Sequence, residues 1–77
     1  MTEKTWLMIF GRKLEQLMND NGMTQRELAD ELRVDQSAIS NYIAGKRMPT
    51  PRVLINLKYT FNINIDELAY YGCKIAD

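Results

Sequence analysis

Gln36, Ser37, Ser40 and Asn41 are neutral hydrogen-bonding side chains spaced to share one side of a helix, where consecutive residues turn by about 100°. Carboxamides and hydroxyls in that pattern suit the reading of another hydrogen-bonding surface better than bond-breaking. A glutamine can pair bidentately with adenine N6 and N7, while a serine hydroxyl donates or accepts and so discriminates less. Gln36 opens the helix. Asn41 lies about one turn past Ser37 with Ser40 beside it, and suits either a base edge or a phosphate. Ala38 and the side of Ser37 can meet a thymine methyl. The helix holds no arginine, so it is not expected to read guanine strongly.

Two short helices and a tight turn must position these residues, and residues 24–47 carry the signals for both. Thr24 and Glu27 form a capping box, in which the hydroxyl accepts from a backbone N–H and the carboxylate reaches back to the cap. Leu28, Ala29 and Leu32 then make an apolar stripe, with Ala29 small enough to admit a neighbouring helix. Asp35 is expected to cap a second helix almost at once. Ile39 and Tyr42 turn inward from it, and Gly45 ends it, since glycine takes the left-handed conformation freely. The predicted spans are about 25–32 and 36–44. This is a helix-turn-helix pattern, whose second helix can enter the major groove of DNA.

The rest of the chain reads as helix as well. Thr5 or Thr2 starts a first helix that runs to about Asn21, with Phe10, Leu14 and Leu17 facing the core. Gly22 closes it and Met23 fills a gap. Thr50-Pro51 is a start signal for a fourth helix carrying Val53, Leu54, Leu57 and Phe61 inward, and Asn62 suits a left-handed cap. Asn64 with Glu67 predicts a short fifth helix holding Ile65 and Leu68. Trp6 either caps the core or joins an exposed self-association patch; Tyr70 and Tyr71 pose the same choice.

With Gly22-Met23-Thr24-Gln25 before it and Lys46-Arg47-Met48-Pro49 after it, the motif resembles the phage-repressor and Cro-like family of bacterial regulators. The resemblance covers about Phe10 to Leu68 and is strongest in T-Q-x-E-L-A, I-S-N-Y and G-K-R-x-P. It implies an all-α, five-helix lambda-repressor-like domain spanning residues 1–77. It also implies a DNA-binding transcriptional regulator, typically a repressor, acting as a homodimer on a palindromic double-stranded operator. Gln25 is implied as a phosphate clamp, which suits its place at a helix N-terminus. Lys46 and Arg47 are implied as sugar–phosphate contacts, joined by Arg52. Three positions depart from the pattern. Arg33 stands where the family usually has glycine in the turn, Met18 where many relatives are basic, and Lys58 where a small alanine is normal. Arg33 implies either a positive φ, at about 1 kcal/mol, or a turn built differently. The stem of Lys58 is expected to pack, with its ammonium in water.

The 77 residues make one small domain that buries only about 60% of its unfolded surface. One cysteine, Cys73, and no histidine leave neither an intramolecular disulfide nor a Cys/His metal cage, and the composition suits a reducing cytoplasm, which the resemblance implies is that of a bacterial or phage-encoded protein. Cys73 reads as an incidental thiol. The apolar run at residues 6–10 is far too short to span a bilayer. No catalytic pair, phosphate loop, cofactor motif or small-molecule site is evident, so an enzyme is not expected. Ten basic residues balance ten acidic ones, but unevenly along the chain. Residues 15–32 hold five acids against one base, and residues 33–58 hold five bases against one acid. A positive field is therefore expected around the second helix of the motif and the loop after it. The zero net charge also leaves open a protein-interaction module that kept the fold. An antitoxin is a narrower rival, disfavoured because no long tail is present to wrap a toxin.

Overall fold

Threonine starts three of the four helices in the computed structural model, which describes residues 2–64. Thr2, Thr24 and Thr50 accept through their hydroxyls from the N–H groups of Thr5, Glu27 and Val53, opening α1 (Glu3–Asp20), α2 (Gln25–Leu32) and α4 (Pro51–Phe61). Of the two candidate starts for α1, Thr2 is the cap. Asp35 differs. It takes the extended cap conformation before α3 (Gln36–Ile43), but its carboxylate makes no capping bond. The Ala38 N–H is already met by the Asp35 carbonyl at 2.9 Å, so the first turn closes through backbone and leaves the side chain without that duty. No strand occurs among the described residues and the all-α class holds. The expected fifth helix, Tyr70, Tyr71 and Cys73 lie outside the described residues.

The helices also stop in a common way. A left-handed residue follows each one: Gly22 at φ 61°, Arg33 at 56°, Gly45 at 72° and Asn62 at 52°. The next residue then donates its N–H to the carbonyl five positions back, in the Schellman pattern. Met23 donates to the Met18 carbonyl, Val34 to Ala29, Lys46 to Asn41 and Ile63 to Lys58. Three of those four exit residues, Met23, Val34 and Ile63, are apolar and pack against the core. The fourth is Lys46, which is exposed. At α3 alone the geometry that elsewhere plugs an apolar side chain into the core presents a cation to solvent.

Arg33 therefore takes the left-handed turn rather than a rebuilt one, at about 1 kcal/mol of steric strain. Arg33→Gly relieves that strain and restores flexibility to the unfolded chain, effects of similar size and opposite sign. The expected result in urea melts is a change between zero and about 1 kcal/mol of stabilisation; a loss above about 1 kcal/mol would show that the arginine conformation carries no strain.

The core draws on every helix: Phe10, Leu14 and Met18 from α1, Leu28 and Leu32 from α2, Ile39 and Tyr42 from α3, and Val53, Leu57 and Phe61 from α4. No charged or polar side chain is buried with them among the described residues. α3 packs on both α1 and α2, and α4 packs on α2. Met18 is a core residue, which accounts for the missing basic group at its position. Lys58 is exposed, and its ammonium lies 5.7 Å from the ring centroid of Tyr59. The side chain thus sits at the surface, its ammonium beside the ring of its neighbour in sequence. α1 meets α3 closely at Gly11. A Cβ on Gly11 would fall 2.6 Å from the Tyr42 carbonyl oxygen and would also strike that of Ile43. Only a glycine lets the two backbones approach so closely. No helix among the described residues is long and apolar enough to cross a membrane.

Candidate nucleic-acid interface

α3 buries Ala38, Ile39 and Tyr42, and its helical period then forces the opposite face outward. Gln36, Ser37 and Ser40 are exposed on that face, and Asn41 is half-buried at its edge. The face is neutral, polar and free of bulky side chains, so it can lie close against a partner with hydrogen-bonding edges of its own. At its start, the unspent Asp35 carboxylate stands beside Gln36.

The capping box of α2 sets the first flank. The Thr24 N–H donates to Glu27 Oε1 at 3.0 Å and the Glu27 N–H donates to Thr24 Oγ1 at 3.1 Å. Hydrogen bonds to the carboxylate from Thr24, its backbone N–H first and then its side chain, hold the Glu27 carboxyl below the usual carboxylate range. The box engages the first and last of the four first-turn N–H groups and leaves those of Gln25 and Arg26 outside it. Gln25 is half-buried there, with a carboxamide that adds a donor at the positive end of the helix.

The exit of α3 sets the second flank. Ala44 is the C-cap, so the regular helix ends one residue before the sequence-based limit. The Gly45 N–H donates to Tyr42 and the Lys46 N–H to Asn41, at 3.1 and 2.9 Å. These two hydrogen bonds fix where Lys46 and Arg47 leave the helix. Both are exposed, and the Arg47 guanidinium carbon sits 5.9 Å from the Tyr42 ring centroid. Met8 of α1 abuts this exit, its backbone nitrogen 3.4 Å from where a Cβ on Gly45 would be. Arg52 is placed differently. It lines a groove between the end of α2 and α4, together with Glu31, Arg33, Asn56, Tyr59 and Thr60. It is thus grouped with Arg33, not with Lys46 and Arg47.

Two features escaped the sequence. Gly11 fixes how α1 meets α3, and its only signal was a glycine inside an apolar helical pattern. The second is an aromatic series behind α3: Trp6 stacks on Phe10 with centroids 5.4 Å apart, and Phe10 meets Tyr42 edge-on at 6.2 Å. Trp6 therefore packs on the core instead of standing in a free patch.

Two helices at a tight turn, with a buried inner face and a polar outer one, define a helix-turn-helix. Residues 14–68 match the helix-turn-helix family, and the chain belongs to it, in the Cro/C1-type branch. Over 61 residues, 79% of this chain, it is 39% identical to the HTH-type transcriptional activator BcrR of Enterococcus faecalis. Over an equal length it is 31% identical to the HTH-type transcriptional regulator ImmR of Bacillus subtilis (strain 168). These alignments cover 30% of BcrR and 48% of ImmR, so the chain spans less than half of either relative. Among solved structures it is similar to the restriction-modification controller protein C.AhdI from Aeromonas hydrophila, with a TM-score of 0.75 and 27% identity. That match covers 80% of this chain and 94% of C.AhdI.

Proposed function

We propose that this chain is a sequence-specific double-stranded DNA-binding regulator of transcription, which represses by occupying a palindromic operator as a homodimer in the bacterial cytoplasm. The observation that carries the reading is the exit of α3, where a cation replaces the apolar plug used at the other three exits, directly beside a polar helix face. Gln36, Ser37, Ser40 and Asn41 read base edges in the major groove. Gln25, Lys46 and Arg47 hold phosphates on either side, while Arg52 stands apart from them in the groove with Arg33. No cofactor, metal or small ligand enters the scheme. The names of BcrR, ImmR and C.AhdI all point to regulation.

Selection from random duplex, followed by titration of variants across salt concentrations, tests the division of labour. Gln36→Ala is expected to lose about 1–3 kcal/mol on the selected site and to relax preference at one base pair. Lys46→Ala is expected to weaken all duplexes alike and to flatten the salt slope by about one unit. Equal losses on random and selected DNA for Gln36→Ala would overturn the reader assignment. A promoter fused to the selected site reads the sign of regulation, a lowered output supporting repression and a raised one an activator. The zero net charge favours one other reading, a protein-interaction module; its signature is the absence of salt-sensitive binding to any duplex.

A further inference from the structure

Tyr42 is the largest of the fully buried side chains, only 2% exposed, yet its ring reaches the surface residue Arg47. Phe10 meets the same ring edge-on and Trp6 stacks behind Phe10. The backbone of Tyr42 is held as well, because α1 approaches its carbonyl too closely at Gly11 to admit a Cβ. α1 therefore holds both the ring, through Phe10, and the backbone that carries it, through Gly11. An arginine on an exposed loop ordinarily samples many rotamers, and freezing it against a ligand has an entropic penalty. A guanidinium within about 6 Å of an aromatic centroid is drawn to the ring face, which narrows that search. Arg47 follows the bonded Gly45–Lys46 exit, so both its backbone and its head group are restrained before any partner arrives.

We infer that Tyr42 is a positioning residue for DNA binding: its ring, braced by Phe10 and Trp6, holds the Arg47 guanidinium ready for a phosphate beside α3. The inference rests on the reading of Arg47 as a phosphate contact. It joins the hydrophobic core to the interface, so that packing of α1 sets the affinity of a side chain it need not touch.

A double-mutant cycle tests it, with Tyr42→Met, Tyr42→Phe and Arg47→Ala titrated on the selected duplex, and thermal melts run on each variant. Tyr42→Phe keeps the ring and is expected to bind like the parent. Tyr42→Met keeps apolar bulk without a ring, and is expected to weaken binding about three- to tenfold. That loss should disappear in the Arg47→Ala background, because nothing remains to be positioned. If Arg47→Ala alone leaves affinity and salt slope unchanged, the phosphate contact itself is wrong. If Arg47→Ala weakens binding and Tyr42→Met has the same effect with or without Arg47, the contact stands and the positioning role is overturned. Should Tyr42→Met melt below the assay temperature, Trp6→Leu replaces it as the more peripheral break in the same series, with the same coupling to Arg47 expected.

Discussion

Gly11→Ala is expected to destabilise the domain by about 2 kcal/mol or more, the reverse of what this exchange does on an open helix. Alanine is the better helix former by about 1 kcal/mol, so an unobstructed site would gain stability. Here the new methyl would meet the Tyr42 carbonyl oxygen at 2.6 Å and the Ile43 carbonyl as well. Both are backbone atoms of a packed helix, with no side-chain rotamer that can move them aside. Relief requires α1 to slide away from α3, opening the layer formed by Phe10, Leu14 and Tyr42. Overpacking of this kind carries about 1–3 kcal/mol and more where the neighbours cannot yield. A domain of this size has little stability in reserve, so the midpoint of a urea melt should fall clearly while its slope stays the same. A midpoint raised by Gly11→Ala would mean that the two helices do not meet as described. Because α1 also braces Tyr42, the variant should bind DNA less well even where it remains folded.

The contrast between Gly11 and Thr24 marks what can be read from a sequence of this kind. The Thr24–Glu27 box, the Thr50-Pro51 start and the left-handed Asn62 depend on residues a few positions apart, so their chemistry is visible in the string. The outer face of α3 was legible for a similar reason: once Ala38, Ile39 and Tyr42 turn inward, the helical period sets the exposure of Gln36, Ser37 and Ser40. Asp35 shows the limit even of local reasoning. Its residue type suits a cap, but the backbone carbonyl reached Ala38 first. Gly11, the Trp6–Phe10–Tyr42 series and the Arg47 contact join residues more than thirty positions apart, or depend on such a join. They follow from how α1 docks on α3, and no periodicity in either helix encodes that. Arg52 likewise depends on docking, since Glu31 and Arg33, which line the same groove, come from the end of α2 and the turn after it.

A full palindrome is expected to bind at least about a hundredfold more tightly than an isolated half-site, with two chains per duplex. One α3 presents four polar side chains on its outer face, enough for only a few base pairs. Each base pair read well is worth about 1–3 kcal/mol, too little in one copy against the roughly million or more competing sites of a genome. A second copy related by a dyad would double the readout and repeat the proposed phosphate contacts at Gln25, Lys46 and Arg47. Contact between the copies makes the second binding event intramolecular, and such tethering raises affinity by about 10²–10⁴ without any new base contact. The candidate surfaces are the loop and α4 near Arg52, together with the expected fifth helix and Tyr70 and Tyr71, which lie outside the described residues. The interface from so short a chain can be weak, so free protein is expected to sediment near the mass of one chain while the duplex carries two. The dyad also fixes a distance: half-site centres about 34 Å apart, one helical turn. Inserting about five base pairs between them turns one half-site to the far side of the duplex and should remove most of the gain; about ten should restore part of it. Shift titrations with sedimentation on half-site, palindrome and both insertions measure all of this together. Equal affinity for half-site and palindrome, with one chain per duplex throughout, would rule out the dimer and leave a monomer reading a short asymmetric site.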